Sequence, residues 1–121
     1  MIFTIPIRTQ SDANLREHWA AKAKRVQIQR EAVAWCWLAL PLAGRWNVKN
    51  QLAAGLVITL TRIASRDLDD DNLVRSMKAV RDEIAKQLGI DDRSMLVKWQ
   101  YAQERGNQPK EYAVKVEIRK A

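Results

Sequence analysis

The run Leu56-Val57-Ile58-Thr59-Leu60-Thr61-Arg62-Ile63 constrains the fold more than any other part of the chain. It is β-branched or apolar almost throughout and Gly55 bounds it, which reads as a strand in the interior of a sheet. An acidic stretch follows, Arg66-Asp67-Leu68-Asp69-Asp70-Asp71-Asn72, and then a segment of helical periodicity. At about 100° per residue, Leu73, Met77, Val80, Ile84 and Leu88 fall on one stripe, with Asp71, Arg75, Lys78 and Asp82 opposite. A helix from Asp71 or Asn72 to Leu88 is expected, with Gly89 as its C′ residue. Its apolar stripe should pack on the sheet and leave the charged stripe to a cleft or to solvent.

The rest of the chain extends this pattern. Ile2 to Ile7 reads as a short strand with Pro6 near its end, suited to a sheet edge. Ser11-Asp12-Ala13-Asn14 carries helix-capping residues. A long helix is expected from about Leu15 to about Leu40, stopped by Pro41. Leu15, Trp19, Val26, Val33 and Trp37 approximate its apolar stripe, and Lys22, Lys24, Arg25 and Arg30 its basic face. Residues 43–50, with Gly44, Trp46 and Asn47, read as a turn-rich connection. Met95 to Tyr101 reads as a third strand, with Trp99 and Tyr101 on one face. Tyr112 to Arg119 alternates strictly, as a half-exposed strand of an antiparallel hairpin does. The expectation is a single α/β domain over residues 1–121. It has one mixed sheet and two main helices in the order β-α-β-α-β-β.

With 121 residues and 47% hydrophobic content, the chain can bury a real core. No apolar run is long enough to span a bilayer. The N-terminal residues lack the basic region and cleavage pattern of a signal peptide. The one cysteine, Cys36, excludes an internal disulfide and a Cys-rich zinc site, and reads as a small buried apolar residue. A reducing cytoplasm is expected.

Charge is distributed unevenly. Residues 67–92 hold eight acids against four bases, a balance of −4, while the rest holds 17 bases against 6 acids, or +11. A basic body attracts a polyanion, and an acidic spot within it attracts a divalent cation. Asp69 and Asp71 sit two apart where strand passes into helix, so both can reach one cation. Asp91 or Asp92 could join them if the following strand returns beside the one ending at Ile63. Oxygen donors without His or Cys favour Mg²⁺ or Mn²⁺ over zinc. Such an ion polarises a scissile phosphate and acidifies an attacking water. Arg75 and Lys78, on the same helical face, could hold phosphate or transition-state charge. The competing reading is helix capping and dipole compensation, worth about 0.3–1 kcal/mol per acid. Four acids within five residues, with a second acidic pair beyond the helix, exceed what capping needs.

At Asp69-Asp70-Asp71-Asn72-Leu73, followed by a helix and Asp91-Asp92, the sequence resembles the RusA family of Holliday-junction resolvases. The resemblance covers roughly residues 62–101, with a weaker echo in Pro6 and Asn14. It implies a RusA-like fold and a homodimer whose two active sites cut opposed strands of a four-way DNA junction with Mg²⁺, in recombination and repair. Carried over by position, Asp69 and Asp71 would be metal-binding catalytic carboxylates, with Asp92, or Asp91 in its place, as the third. Asn72 would help shape the site and contact DNA. The family has a lysine three residues after the Asn; here that position is Arg75, and Lys78 lies one turn further. Arg keeps the charge but does not readily give up a proton, so a phosphate-clamp role transfers and a general-acid role does not.

Arg66, Lys22 and Arg25 are expected to contact nucleic acid as part of a basic group that also includes Arg62. His18 reads as an ordinary helical histidine. Most of the five tryptophans are expected in the core or an interface, with Trp46 the one placed to stack on a base. Two other functions fit the residues less well. One is a non-catalytic DNA-binding or phage-associated module retaining the scaffold. The other is a metal-dependent phosphohydrolase acting on nucleotides.

Overall fold

The computed structural model describes residues 1–10 and 18–121. The expected capping loop with Asn14, and Leu15 of the expected first apolar stripe, lie outside the described residues. Within them the elements run β1 (Ile2–Ile5), α1 (Trp19–Leu38), α2 (Leu42–Gln51), β2 (Leu56–Ala64), α3 (Asp70–Ser76), α4 (Lys78–Leu88), β3 (Val97–Arg105) and β4 (Ala113–Lys120). A 3₁₀ turn at Leu52–Ala54 leads into β2.

The mixed sheet has strand order β1-β4-β2-β3. β3 runs parallel to β2, and β4 runs antiparallel to both β1 and β2. β2 is therefore an interior strand and β1 an edge strand, both as expected. β4 is half-exposed as expected, but it forms no hairpin with β3. β3 takes the far side of β2, and β4 fills the gap between β2 and β1.

Alternation along the strands sorts the two faces. Leu56, Ile58 and Leu60 of β2, Val97 of β3, Val114, Val116 and Ile118 of β4, and Phe3 and Ile5 of β1 form one buried surface. Val33 and Trp37 of α1, Val48 of α2, and Val80, Ile84 and Leu88 of α4 cover it. Phe3 and Trp37 meet edge to face, with ring centroids 6.3 Å apart. The opposite face is more polar: Thr59 donates to Gln100, and Lys115 bridges to Glu104 at 3.1 Å. Helices therefore lie on one side of the sheet.

There are four helices among the described residues rather than two, and each departure has a physical cause. Residues 42–51 form α2 despite Gly44 and two asparagines. The helix gains from burying Val48, and the Arg45 side chain donates to the Leu40 carbonyl at its start, so tertiary packing overrides weak propensity. Trp46 is accordingly on a helix, not in a loop. The expected single helix to Leu88 is broken at Met77. Ser76 Oγ donates to the Leu73 carbonyl at 2.7 Å, the acceptor that the Met77 amide would use in a continuous α-helix. The Met77 amide turns instead to Val74 at 3.2 Å, and Met77 leaves helical geometry at φ −97°, ψ 2°. The apolar stripe survives the break, since Leu73, Met77, Val80, Ile84 and Leu88 are all buried. Gly89 closes α4 in the left-handed conformation at φ 76°, as expected.

In α1 the buried line is Gln29, Val33 and Trp37. Trp19, expected on that stripe, is 76% exposed. Trp35 and Trp46 are exposed too, so only Trp37 of the five tryptophans is fully buried. One polar group sits unexpectedly deep. Glu83 of α4 is buried, pairs with Arg30 of α1 at 3.1 Å, and accepts from Gln87 at 2.8 Å. His18 caps α1, its Nδ1 accepting from the Ala20 amide. No described helix is long and apolar enough to cross a membrane.

Candidate functional site

The acidic run leaves the C-terminal end of β2 and is fixed from below by that strand and its neighbour. Arg62, buried within β2, donates from Nη1 to the Arg66 carbonyl at 2.6 Å and from Nε to the Thr9 carbonyl at 3.4 Å. Burial holds its pKa below the usual value. Arg8 adds to this, while Asp67 and Tyr112 oppose it. Arg62 is therefore a structural brace rather than a surface group following phosphates. Gln103 of β3 grips Leu68 through both backbone groups: the Leu68 amide donates to its Oε1 at 2.9 Å, and its Nε2 donates to the Leu68 carbonyl at 2.7 Å. Nothing in the sequence signals this clamp, because a half-buried glutamine in a strand has no distinctive pattern.

Asp69 is the N-cap of α3. Its Oδ1 accepts from the Asn72 amide at 2.9 Å and its Oδ2 from Asn72 Nδ2 at 3.0 Å. The capping reading is therefore correct for Asp69. It does not consume the group, since a carboxylate has about four acceptor directions and Asn72 takes two. Asp70 and Asp71 occupy the exposed first turn, where the helix dipole favours them. Asn72 thus orients Asp69. Arg66 is exposed, and its carbonyl is held by Arg62.

Asp91 and Asp92 sit elsewhere. They line an open hollow with Lys78, Asp82 and Gly89 on the flank of α4. Asp92 is placed by Arg81, which donates from Nη2 to its carbonyl at 2.6 Å and from Nη1 to the Tyr101 hydroxyl at 3.0 Å. The same guanidinium lies over the Trp99 ring, 5.0 Å from its centroid. Asp91 accepts from the Arg93 amide at 2.8 Å. That bond, and next its contact with the Asp92 side chain, hold the Asp91 pKa below the usual carboxylate value.

The expected meeting of Asp69, Asp71 and Asp91 or Asp92 does not occur within one chain. Among the described residues no three His, Cys, Asp or Glu side chains form a group able to hold a metal. The cause is topological. β3 does return beside β2, but in parallel, with Leu56 opposite Val97 and Ala64 opposite Arg105. Asp69 and Asp71 follow the C-terminal end of β2, while Asp91 and Asp92 precede the N-terminal end of β3. The helices α3 and α4 run between these two ends.

The basic candidates do come together. Lys22 and Arg25 of α1 line one crevice with Arg75, Ser76, Lys78 and Asp82 of the α3–α4 elbow. Lys78 also reaches Asp82 at 3.0 Å.

No family model matches this sequence. The chain is similar to an uncharacterized protein of Xylella fastidiosa (strain Temecula1 / ATCC 700964), at 33% identity over 87 residues. The match takes in 66% of this chain and 52% of the relative, so this chain spans about half of that protein's length.

Proposed function

We propose that the chain is a Mg²⁺-dependent, structure-selective endodeoxyribonuclease of the RusA type, hydrolysing phosphodiester bonds at four-way DNA junctions. The observation that carries this reading is the mounting of Asp69 and Asp71. Both stand at an exposed helix start, on a turn that Arg62 of β2 and Gln103 of β3 tie to the sheet. A turn so firmly held suits a pair of carboxylates kept ready for a cation rather than a solvated acidic loop. Basic side chains converge close by, with Arg75 one turn beyond Asp71.

Asp69 and Asp71 fit a hard divalent ion by donor type and exposure. Bound there, Mg²⁺ would supply positive charge for the scissile phosphate and acidify an attacking water. Asn72 orients Asp69, and Arg75 is the phosphate clamp.

The opposed placement of the two acidic pairs favours a site shared between two copies. β3 is an edge strand, with no strand paired to its outer side among the described residues. A two-fold axis beside it would run one β3 antiparallel to the other. The C-terminal end of β2, with Asp69 and Asp71, would then meet the partner's Asp91 and Asp92. Each dimer would hold two such sites, as cutting opposed strands requires.

The test is cleavage of a synthetic four-way junction with and without Mg²⁺, beside linear duplex and the Asp71→Asn variant. Metal-dependent cutting of the junction, lost in Asp71→Asn, is expected; equal cutting in EDTA would overturn the reading. Mixing Asp71→Asn with Asp91→Asn/Asp92→Asn tests the shared site. Neither variant should cut alone, while the mixed dimer rebuilds one intact site and nicks the junction. A site built within one chain would give no rescue.

A second reading, a DNA-binding module without catalysis, is favoured by Arg75 standing where the family carries lysine. It predicts salt-sensitive junction binding and no cut with Mg²⁺ or Mn²⁺.

A further inference from the structure

Arg81 of α4 lies at the centre of a cluster between that helix and β3. Its Nη1 donates to the Tyr101 hydroxyl at 3.0 Å and its Nη2 to the Asp92 carbonyl at 2.6 Å. The guanidinium carbon stands 5.0 Å from the Trp99 ring centroid. Arg81 Nε and Trp99 Nε1 are both buried, with no acceptor among the described residues. On the other flank of α4, Glu83 meets Arg30 of α1. Trp99, Tyr101 and Gln103 alternate along β3 and so share one face, each about 6.6 Å from the next.

Packing alone does not call for an arginine here. A leucine or methionine could lie against Trp99 without taking a charge and an unpaired donor out of water. What only a guanidinium offers is a planar fork that reaches two acceptors at once. One acceptor is a strand side chain, and the other is the main chain of the loop that carries the second acidic pair. The bond to Asp92 ends on its carbonyl, so it orients the residue without occupying its carboxylate. With Nε buried and both terminal nitrogens engaged inside the cluster, Arg81 is poorly placed to grip a phosphate. Two residues along the same strand face, Gln103 grips Leu68, one residue before Asp69. A single strand face thus fixes both acid-bearing segments. In the dimer proposed above, β3 lies at the two-fold axis. The same face would then register one chain's Asp69 and Asp71 against the partner's Asp92.

We propose that Arg81 is a positioning residue for the cleavage reaction, holding Asp92 through the bridge from the Tyr101 hydroxyl to the Asp92 carbonyl. The proposal rests on the nuclease reading and extends it to a residue that touches neither metal nor DNA. Partners standing one bond behind a metal-binding carboxylate typically change metal affinity or activity by about 10–100-fold when removed.

The experiment compares wild type with Arg81→Gln, Arg81→Lys, Tyr101→Phe and Arg30→Gln. The last removes the arginine that bridges α4 to α1 on its other flank. Circular dichroism sets a temperature at which all are folded. Mn²⁺ affinity is read from the EPR signal of the free ion, and four-way-junction cleavage with Mg²⁺ from kcat and KM. Arg81→Gln should weaken Mn²⁺ binding and lower kcat, each by about tenfold, with KM unchanged. Tyr101→Phe should shift both in the same direction by less. Arg81→Lys should not restore them, because an ammonium lacks the planar fork. Arg81→Gln/Tyr101→Phe should be no worse than Arg81→Gln, since Tyr101 acts through Arg81. Arg30→Gln should melt at a lower temperature and keep wild-type Mn²⁺ affinity and kcat. If Arg81→Gln matches Arg30→Gln in both readouts, the positioning role is overturned and the nuclease reading stands. A loss confined to KM would make Arg81 a substrate-binding residue and overturn the role as well. A wild type that does not cut the junction overturns both. If Arg81→Gln does not fold, Tyr101→Phe decides, since it removes one hydroxyl; unchanged Mn²⁺ affinity and kcat there would overturn the proposal.

Discussion

Arg62 and Gln103 lie directly opposite one another across the parallel strands β2 and β3, and each holds the turn that carries the acids. Arg62 takes the carbonyl of residue 66, and Gln103 takes both backbone groups of residue 68. Asp67 lies between these two anchor points and Asp69 follows the second. The aim of the acidic run is therefore set by side chains rising from the sheet rather than by the turn itself.

Gln103→Leu should cost about 1–2 kcal/mol, because two hydrogen bonds are lost at a site that water can partly reach. Gln103→Glu should not restore it at pH 7. It keeps an acceptor for the Leu68 amide but sets a carboxylate oxygen against the Leu68 carbonyl. Urea denaturation of the three proteins measures this, and cleavage assays should show activity falling further than stability.

Asp69 has two separable roles. Asn caps helices about as well as Asp, so Asp69→Asn should stay within a few tenths of a kcal/mol of wild type while losing Mg²⁺-dependent cleavage. Asp69→Ala should lose cleavage and also about 1 kcal/mol of stability. Thermal melts and junction cleavage on both variants separate the cap from the proposed ligand.

Asp91 should give the stability curve a specific pH dependence. Its folded pKa lies below its unfolded value, through the Arg93 amide and then Asp92. The stabilisation is thus fully present above the ordinary carboxylate pKa of about 3.9 and is lost as pH falls through the folded value. The stability difference between wild type and Asp91→Asn should therefore shrink on acidification below pH ~4 and stay constant from pH 6 to 8. A difference that grew on acidification would contradict the assigned bond.

Gly89 has open space where a Cβ would go, so steric contact cannot penalise a larger side chain there. Its positive φ can. Gly89→Ala should cost about 1 kcal/mol from left-handed backbone strain alone, measured by chemical denaturation. Gly89→Asn should cost less, because asparagine tolerates that conformation.

Much of this architecture is legible in the amino-acid order. The interior strand at 56–63, the stripe from Leu73 to Leu88 and the Gly89 cap all follow from periodicity and local backbone preference. Such features arise within one element, where neighbours along the chain are neighbours in space. The α2 helix escapes the same reasoning because Val48 stabilises it from across the core. The break at Met77 escapes it because one serine hydroxyl competes for one carbonyl, a contest that hydrophobic periodicity does not register. At the site, the types and spacing of the acids are readable, and so is the basic set that lines the crevice. The braces from Arg62 and Gln103 are not, since they depend on the register between two strands forty residues apart. Nor is the separation of Asp69 and Asp71 from Asp91 and Asp92, which follows from the parallel direction of β3.

The elbow at Met77 changes what governs the angle between acids and bases. In an unbroken helix, the bearing of Asp71 relative to Lys78 would be fixed by the helical pitch, and only a shift of the whole rod could alter it. With Ser76 diverting the chain, α3 becomes a short mount whose heading is independent of the rod behind it. A single hydroxyl therefore sets where the chain bends, and with it the bearing of Lys78 relative to acids whose own position Arg62 and Gln103 fix.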